Sequence, residues 1–315
     1  MIKKYPLVSV IVPTFNRKLV LKKALKAFVY QDYPQSRFEI VVIDDGSTDD
    51  TKKMVRDFQK KKTKIRVKYF YQLNQGPSVA RNLGIKKCRG KIVLIVNDDT
   101  IPEKDLISQH IKFHSRYPKE NFGVLGFFTW SPELKITPFM RWLEKSGPQF
   151  SYGDIRGIWT EWQKLWTCNI SFKKAFLLEF GLFDPDFKDA AWEDVELGYR
   201  LSQHGLRILY NKRAIGYHYH PTSFDSVIGR MKKHGKAAVI LGQKISEEGV
   251  LPPLARSEMG KKIDFLDRLF FTPSVEYLFR KLALWGEMRF NLSIVYDLIL
   301  LHYRVVGRRE FFLRK

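Results

Sequence analysis

Between residues 7 and 99 the chain alternates between two hydrophobic rhythms. Short, β-branched, nearly continuous apolar runs, LVSVIVPTF (7–15), FEIVVIDDG (38–46), IRVKYFYQ (65–72) and KIVLIVNDD (91–99), are separated by stretches whose apolar residues recur at helical spacing. A strand covered on both faces needs no polar alternation, so such runs predict the middle of a parallel sheet. The intervening LVLKKALKAFVYQ (19–31), TDDTKKMVRDFQKKK (48–62) and GPSVARNLGIKKC (76–88) predict helices. The second opens on Thr, Asp and Asp and lines Met54, Val55 and Phe58 along one face; the third carries Pro in its first turn. Strands alternating with helices predict βαβ units and a largely parallel α/β sheet.

Beyond residue 100 the rhythm loosens. FGVLGFFTW (122–130) predicts another strand, and residues 131–154, with three prolines and scattered apolar positions, read as an excursion on the acceptor side that could move. RGIWTEWQKLWTCNISFKKAFL (156–177) spaces Trp159, Trp162 and Trp166 as a helix would, either as a core stripe or as a wall for sugar or lipid. EDVELGYRLSQHG predicts a helix with Glu193 and Asp194 in its first turn and Gly205 ending it. His218 and His220 share one face of a strand at period two, whereas His110 and His114, four apart, fit a solvated helix face. After Pro221 the pattern becomes basic and helical: FDSVIGRMKKHGKAAVILGQK (224–244), a break at LPPL, then helices rich in Phe, Leu, Tyr, Lys and Arg to residue 315. The expected division is 1–222, with halves 1–100 and 101–222, followed by a helical extension over 223–315.

Composition adds three constraints. At 44% hydrophobic and 28% charged, the 315 residues can bury a core and exceed what one ordinary domain needs. The formal charge of +22 points to anionic partners. Cys88 and Cys168 form neither a disulfide framework nor a CxxC zinc site, which fits a reducing compartment. No signal-peptide pattern opens the sequence, and the apolar run LSIVYDLILL is too short to span a bilayer.

The chemistry gathers where strands end. Asp44 and Asp45 close the second strand, and Asp98 and Asp99 close the fourth. Aspartates cap turns and helices readily, and DDGSTDD is good turn sequence. NDDTIP fits that explanation less well, because its acids follow a buried strand directly. Ligands collect at the carboxyl ends of parallel strands, and clustered carboxylates repel unless a cation joins them. Oxygen donors of this kind suit Mg²⁺ or Mn²⁺ shared with a ligand's phosphates. GxGxxG and GxxxxGK[ST] loops are absent, so ordinary dinucleotide and P-loop readings lose weight.

The segments VSVIVPTFNR, EIVVIDDGSTDDT, NQGPSVARNLGIKKCRGKIVLIVNDD, GLFDPDF and WEDVELGYRL occur in this order. Together they resemble the inverting nucleotide-sugar glycosyltransferases of family two, over roughly residues 6–222. The resemblance implies a GT-A fold, a Rossmann-like mixed but mostly parallel sheet flanked by helices. It implies a nucleotide site at Pro13, Thr14, Asn16, Asp45, Gly76, Arg81 and Asp98, with Asp45 on the base and Arg81 near base and diphosphate. It assigns a divalent metal to Asp99, with His218 or alternatively His220. Asn97 stands where the family's motif usually begins with an acid. Asp194 matches the catalytic base, with Glu193 beside it, and Trp192 and Asn169 are acceptor candidates.

The chemistry asks for such residues in its own right. In an inverting displacement the acceptor hydroxyl must lose a proton on one face while charge grows on the diphosphate across the sugar. The expected partners are a nucleotide-diphosphate-sugar, a glycan or lipid-linked acceptor, Mn²⁺ or Mg²⁺, and an anionic membrane surface met by the basic C-terminal helices from the cytoplasmic side. Nucleic acid is not expected. The alternatives are a sugar nucleotidyltransferase, which needs a Gly-rich loop that PTFNRKLV lacks, and a binding protein without transferase activity.

Overall fold

The computed structural model describes residues 5–60, 64–145, 149, 151–289 and 292–313. The chain divides into two compact units. The first comprises Met1–Glu133, Asp154–Lys188 and Glu193–His220; the second comprises Leu134–Gly153, Asp189–Trp192 and Pro221–Lys315. The expected boundary at 222 lies beside this division; within 101–222, residues 134–153, 189–192 and 221–222 belong to the second unit.

The strands are β1 (Val8–Thr14), β2 (Phe38–Asp44), β3 (Arg66–Tyr71), β4 (Ile92–Val96), β5 (Thr100–Pro102), β6 (Phe122–Trp130), β7 (Trp159–Thr160), β8 (Asn169–Lys173) and β9 (Arg207–His218). The helices are α1 (Lys18–Phe28), α2 (Thr51–Gln59), α3 (Pro77–Lys87), α4 (Leu106–Arg116), α5 (Pro138–Lys145), α6 (Lys174–Phe180), α7 (Glu193–Ser202), α8 (Phe224–Lys244), α9 (Ser257–Phe270), α10 (Pro273–Glu287) and α11 (Ser293–Leu313). All nine strands form one sheet in the first unit, ordered β3-β2-β1-β4-β8-β6-β9-β5, with β7 on β9. β1 pairs in parallel with β2 and β4, and β2 with β3, as the alternating sequence predicts. Beyond β4 the sheet becomes mixed: β8 is antiparallel to β4 and β6, while β6 and β9 are parallel.

Every residue of β2 and β4 is buried. Phe38, Ile40 and Val42 of β2 and Ile92, Leu94 and Val96 of β4 join Val10 and Val12 of β1 and Leu25 and Phe28 of α1 in the main core. Met54, Val55 and Phe58 of α2 close it from one side, on the face their spacing defines. α3 comes so close to the sheet that a Cβ on Gly84 would lie 2.6 Å from Ile11 Cγ2.

The region 156–177 is not the helix its tryptophan spacing suggests. It holds β7, a 3-10 turn at Trp162–Lys164, β8 and the start of α6. Trp159 is 38% exposed, and Trp162 and Trp166 are partly buried, so the stripe is not a core stripe either. The His110 and His114 expectation also fails. Both rings are buried against β8, because α4 turns its histidine face onto the sheet.

In the second unit, α5 lies within the region read as an excursion that could move. It buries Phe139 and Trp142, which stack on each other and meet Tyr296 of α11. α8 starts with a reciprocal cap between Ser223 and Ser226. α8 and α11 meet at two glycines: a Cβ on Gly235 would lie 1.8 Å from Arg304 O, and one on Gly307 would lie 1.9 Å from Lys232 O.

Candidate active site

Three groups of polar side chains occupy the first unit. The first lies where β4 ends. Asp98 and Asp99 are nearly fully buried, and the guanidinium of Arg17 bridges them. Its Nη1 donates to Asp98 Oδ1 at 2.8 Å and its Nη2 to Asp99 Oδ2 at 2.7 Å. The same Nη2 lies 2.9 Å from His220 Nδ1, which therefore accepts. Thr14 donates its hydroxyl to Asp98 Oδ2 at 2.8 Å. His218 brings Nε2 to 3.1 Å from Asp99 Oδ2, because β5 pairs with β9 and sets Thr100 opposite His218. Trp130 stacks on the His218 ring at 5.1 Å between centroids. Asp99 Oδ1 is buried and has no hydrogen-bond partner among the described residues.

The electrostatics of the pair are unequal. Burial, then repulsion from Asp99, pushes Asp98 up to about 7 despite Arg17. Burial also opposes ionisation of Asp99, but His218 and Arg17 outweigh it and hold Asp99 well below the usual carboxylate range. The expectation for Asp99 and His218 thus finds its two residues side by side. His220 turns a ring nitrogen to Arg17 instead. The sequence alone gives Arg17 of PTFNR no role; its one signal is a fixed cation in the loop beyond a strand that ends beside paired acids.

The second group is built on DDGSTDD and NQG. Asp45 Oδ1 accepts from Gln72 Nε2 at 2.7 Å and from Gln75 N at 3.0 Å, while Oδ2 accepts from Gly76 N at 2.8 Å. Gly76 has φ +94°, and a Cβ there would lie 2.4 Å from Lys188 O, so both conformation and space demand glycine. Asn16, at φ 53°, accepts from the Thr48 and Asp49 amides and ties the loop after β1 to the loop after β2. Pro13 lies opposite Ile43 in the sheet register. Asp44 is turned to Tyr69, whose hydroxyl donates to it at 2.6 Å. Most of Asp45's accepting capacity therefore ties the end of β2 to the loop between β3 and α3.

The third group sits at the start of α7. Arg81 of α3 pairs with Glu193 at 2.7 Å, and each side chain is only 3% exposed. This departs from an Arg81 that faces a diphosphate: its charge is compensated inside the protein. Asp194, next to Glu193, accepts only from its neighbour's amide, Val195 N, at 2.9 Å among the described hydrogen bonds. Burial, then the Glu193 carboxylate, pushes Asp194 up to about 7, while Arg81 opposes them.

Both acceptor candidates are engaged elsewhere. Asn169 is fully buried; its Oδ1 meets His110 Nε2 at 2.9 Å, and its Nδ2 donates to the Phe127 and Ala214 carbonyls. It knits β8, β6 and β9 together and presents nothing to an acceptor. Trp192 belongs to the second unit, where its indole N–H donates to His234 O at 3.1 Å.

A parallel half-sheet with acids at its strand ends, continued by a mixed half that returns a histidine to those acids, defines the class of the GT-A fold. Residues 9–177 match Glycosyl transferase family 2, and the chain belongs to that family. Among solved structures, a mannosyltransferase from Pyrobaculum calidifontis in complex with GDP-Man and Mn²⁺ superposes with a TM-score of 0.64 over 99% of this chain and 89% of its own, at 18% identity. TarS 1-349 of S. aureus in complex with UDP gives 0.54 over 98% and 92%, at 19% identity. Validoxylamine A glucosyltransferase of Streptomyces hygroscopicus is 29% identical over 67% of this chain and 51% of its own, so the chain spans about half the length of that relative. A GalNAc(5)-diNAcBac-PP-undecaprenol β-1,3-glucosyltransferase of Campylobacter jejuni is 45% identical over 30% of each chain.

Proposed function

We propose that the protein is an inverting glycosyltransferase that moves a hexose from a nucleotide-diphosphate-sugar to a hydroxyl of a lipid-linked or cell-surface glycan. The observation that carries this reading is the division of labour between the two acid sites. Asp98 and Asp99 are matched by cationic and imidazole partners, as a site for charge neutralisation requires. Asp194 lacks a direct cation and holds its proton up to about 7, as a general base working near neutrality requires.

The residues at the β4 end fit Mn²⁺ or Mg²⁺. Asp99 Oδ1 is a buried acceptor without a donor among the described residues, and His218 offers its ring nitrogen beside the same carboxylate. Among the described residues no group of three or more His, Cys, Asp or Glu side chains forms a metal cage. Two protein donors suffice when a diphosphate fills the remaining positions. A bound ion supplies charge for the departing diphosphate. Asp99 and His218 would hold it, while Thr14 and Arg17 fix Asp98 beside them. Asn16 ties the loops after β1 and β2, and Asp45 ties the loop after β3 to the end of β2, in the shape that receives the nucleotide. Asp194 takes the proton from the acceptor hydroxyl as it attacks; burial and the negative charge of Glu193 keep its proton affinity high, and Arg81, paired with Glu193, opposes them.

The lipid-linked acceptor draws on the similarity to the undecaprenol-linked glucosyltransferase. An acceptor of that kind is held at a membrane, so the enzyme works at its cytoplasmic surface. The test is calorimetric titration of a nucleoside diphosphate with and without Mn²⁺. Binding is expected to depend on the metal in the parent protein and to lose that dependence in Asp99→Ala. Equal metal-dependent affinity in both would overturn the metal assignment.

A further inference from the structure

We propose that α9 and α10 form an interfacial platform that lays the second unit on an anionic lipid bilayer. The two helices are joined to the rest of their unit in an unusual way. α9 buries only Gly260 and Asp267, and α10 only Ala283 and Gly286. Their large apolar side chains point out instead. Phe265, Leu266 and Leu269 of α9 are 61–64% exposed, and Tyr277, Leu278 and Trp285 of α10 are 65%, 54% and 50% exposed. Residues at i, i+1 and i+4 share one side of a helix, as do residues at i, i+4 and i+7, so the α9 trio and Leu278, Leu282 and Trp285 form continuous stripes. Contiguous exposure on this scale marks an interaction surface rather than scattered surface residues.

The charges decide what the surface meets. Residues 257–289 contain five acids, and all are turned inward or paired; the exposed Glu258 accepts from Lys261 at 2.9 Å. Asp267 is buried against His302 and Arg309, Asp264 pairs with Arg268 and Arg309, Glu276 accepts from Tyr303, and Glu287 accepts the Phe224 amide. The bases Lys261, Lys262, Arg268, Arg280, Lys281 and Arg289 stay exposed; Lys261, Arg268 and Arg280 also pair with Glu258, Asp264 and Asp225, so the charge offered outward rests mainly on Lys262, Lys281 and Arg289. Lys281 lies 5.4 Å from the centre of the Tyr277 ring and Arg289 5.6 Å from that of Trp285, so aromatic bodies and cationic heads come as pairs. Apolar side chains that enter the acyl boundary, with cations at headgroup level, are what an in-plane helix requires. A second copy of this chain would present the same cations, and like charges would oppose the contact. No described helix is long and apolar enough to cross a membrane, which leaves these helices lying in its surface.

For its purpose the platform rests on the transferase reading above, since it would bring the enzyme to a membrane-held acceptor; the helices themselves do not depend on that reading. The test is co-sedimentation of the full chain with phosphatidylcholine vesicles with and without phosphatidylglycerol, at low and high salt. The parent is expected to bind the anionic vesicles preferentially, and salt to weaken that binding. Leu266→Glu combined with Leu278→Glu, and separately Lys262→Glu combined with Lys281→Glu, is each expected to weaken binding by about tenfold or more. All four sites are exposed, so thermal unfolding should be unchanged and confirms that the variants fold. A parent that stays in the supernatant with anionic vesicles overturns the proposal. So does a parent that is dimeric by light scattering and becomes monomeric in the leucine variant, which would assign the surface to a second copy. Nucleoside diphosphate titration of the same proteins keeps the two readings apart. A parent protein that binds the diphosphate but not anionic vesicles strikes the platform alone, and a parent that binds the vesicles but not the diphosphate strikes the transferase reading alone.

Discussion

At the scale of single residues, Asp194 carries the sharpest expectation. A base must be ionised to accept a proton, and Asp194 is held up to about 7, first by burial and then by Glu193. Transfer should therefore rise as pH climbs through about 7 and level off above it. Asp194→Asn should keep diphosphate binding while losing transfer by ~10²–10⁴-fold, read from steady-state rates. Glu193→Gln removes the neighbouring negative charge and leaves Arg81 uncompensated; both changes lower Asp194's proton affinity, so the acid limb of the pH profile should move to lower pH. A limb that stays in place would remove Asp194 from the role. Arg17 offers a second expectation. It spends its guanidinium on Asp98 and Asp99, so Arg17→Gln leaves two buried carboxylates without their cation. Mn²⁺ alone should then bind more tightly than to the parent, and should restore thermal stability that the variant has lost. Both are measurable by calorimetry without substrate.

At the scale of elements, close approaches and buried imidazoles matter most. Gly235→Ala or Gly307→Ala puts a methyl group within 2 Å of a carbonyl oxygen on the facing helix, and backbone cannot yield as a side chain can. Each should destabilise the α8–α11 pair by ~1–3 kcal/mol in urea unfolding. The α4–β8 contact makes the protein sensitive to acid. Asn169 Nδ2 donates to two carbonyls, so its Oδ1 must accept from His110 Nε2, and His110 Nδ1 accepts from the Ser171 hydroxyl. Ser171 then accepts from His114 Nε2, and both rings are neutral. Burial lowers His110 from 6.5 to about 4 and His114 well below 6.5. The unfolded chain binds these protons first, so the stability they contribute is complete above about 6.5 and is lost as pH falls towards about 4. Asp194 acts in the opposite sense, since its folded state keeps the proton that the unfolded chain releases. Chemical unfolding across that range should show a shallower fall in His110→Gln than in the parent.

At the scale of the whole molecule, the two units carry different chemistry. The Asp98–Asp99, Asp45 and Asp194 groups all lie in the first unit, while the exposed apolar helices lie in the second. A ligand that binds only the folded first unit stabilises that unit by mass action. A nucleoside diphosphate with Mn²⁺ should therefore slow hydrogen exchange in β1, β4, β9 and α7 and leave α9 and α10 unchanged. Slowed exchange in α9 and α10 would show that the ligand also engages the second unit.

The sequence by itself determined the first hundred residues, the strand-end acids and the helical tail. Hydrophobic period is a local property, and β1 to β4 with α1 to α3 each declare theirs within a few residues. It also placed Glu193 and Asp194 in a first helical turn, because helix starts are written in neighbouring residues. What it could not decide were contacts between residues far apart in the chain. Arg17 meets Asp98 across 81 positions, Arg81 meets Glu193 across 112, and His218 meets Asp99 across 119. The tryptophan spacing at 159, 162 and 166 misled because a short strand, a 3-10 turn and the irregular segment before β8 happen to repeat at a helical interval. The i,i+4 histidines of α4 look like a solvated face in any local window, and only β8, brought against that helix by the mixed half of the sheet, shows that they are buried. Only the tertiary structure shows the outward turn of the α9 and α10 side chains as well, since an apolar stripe reads the same whether a core covers it or water does.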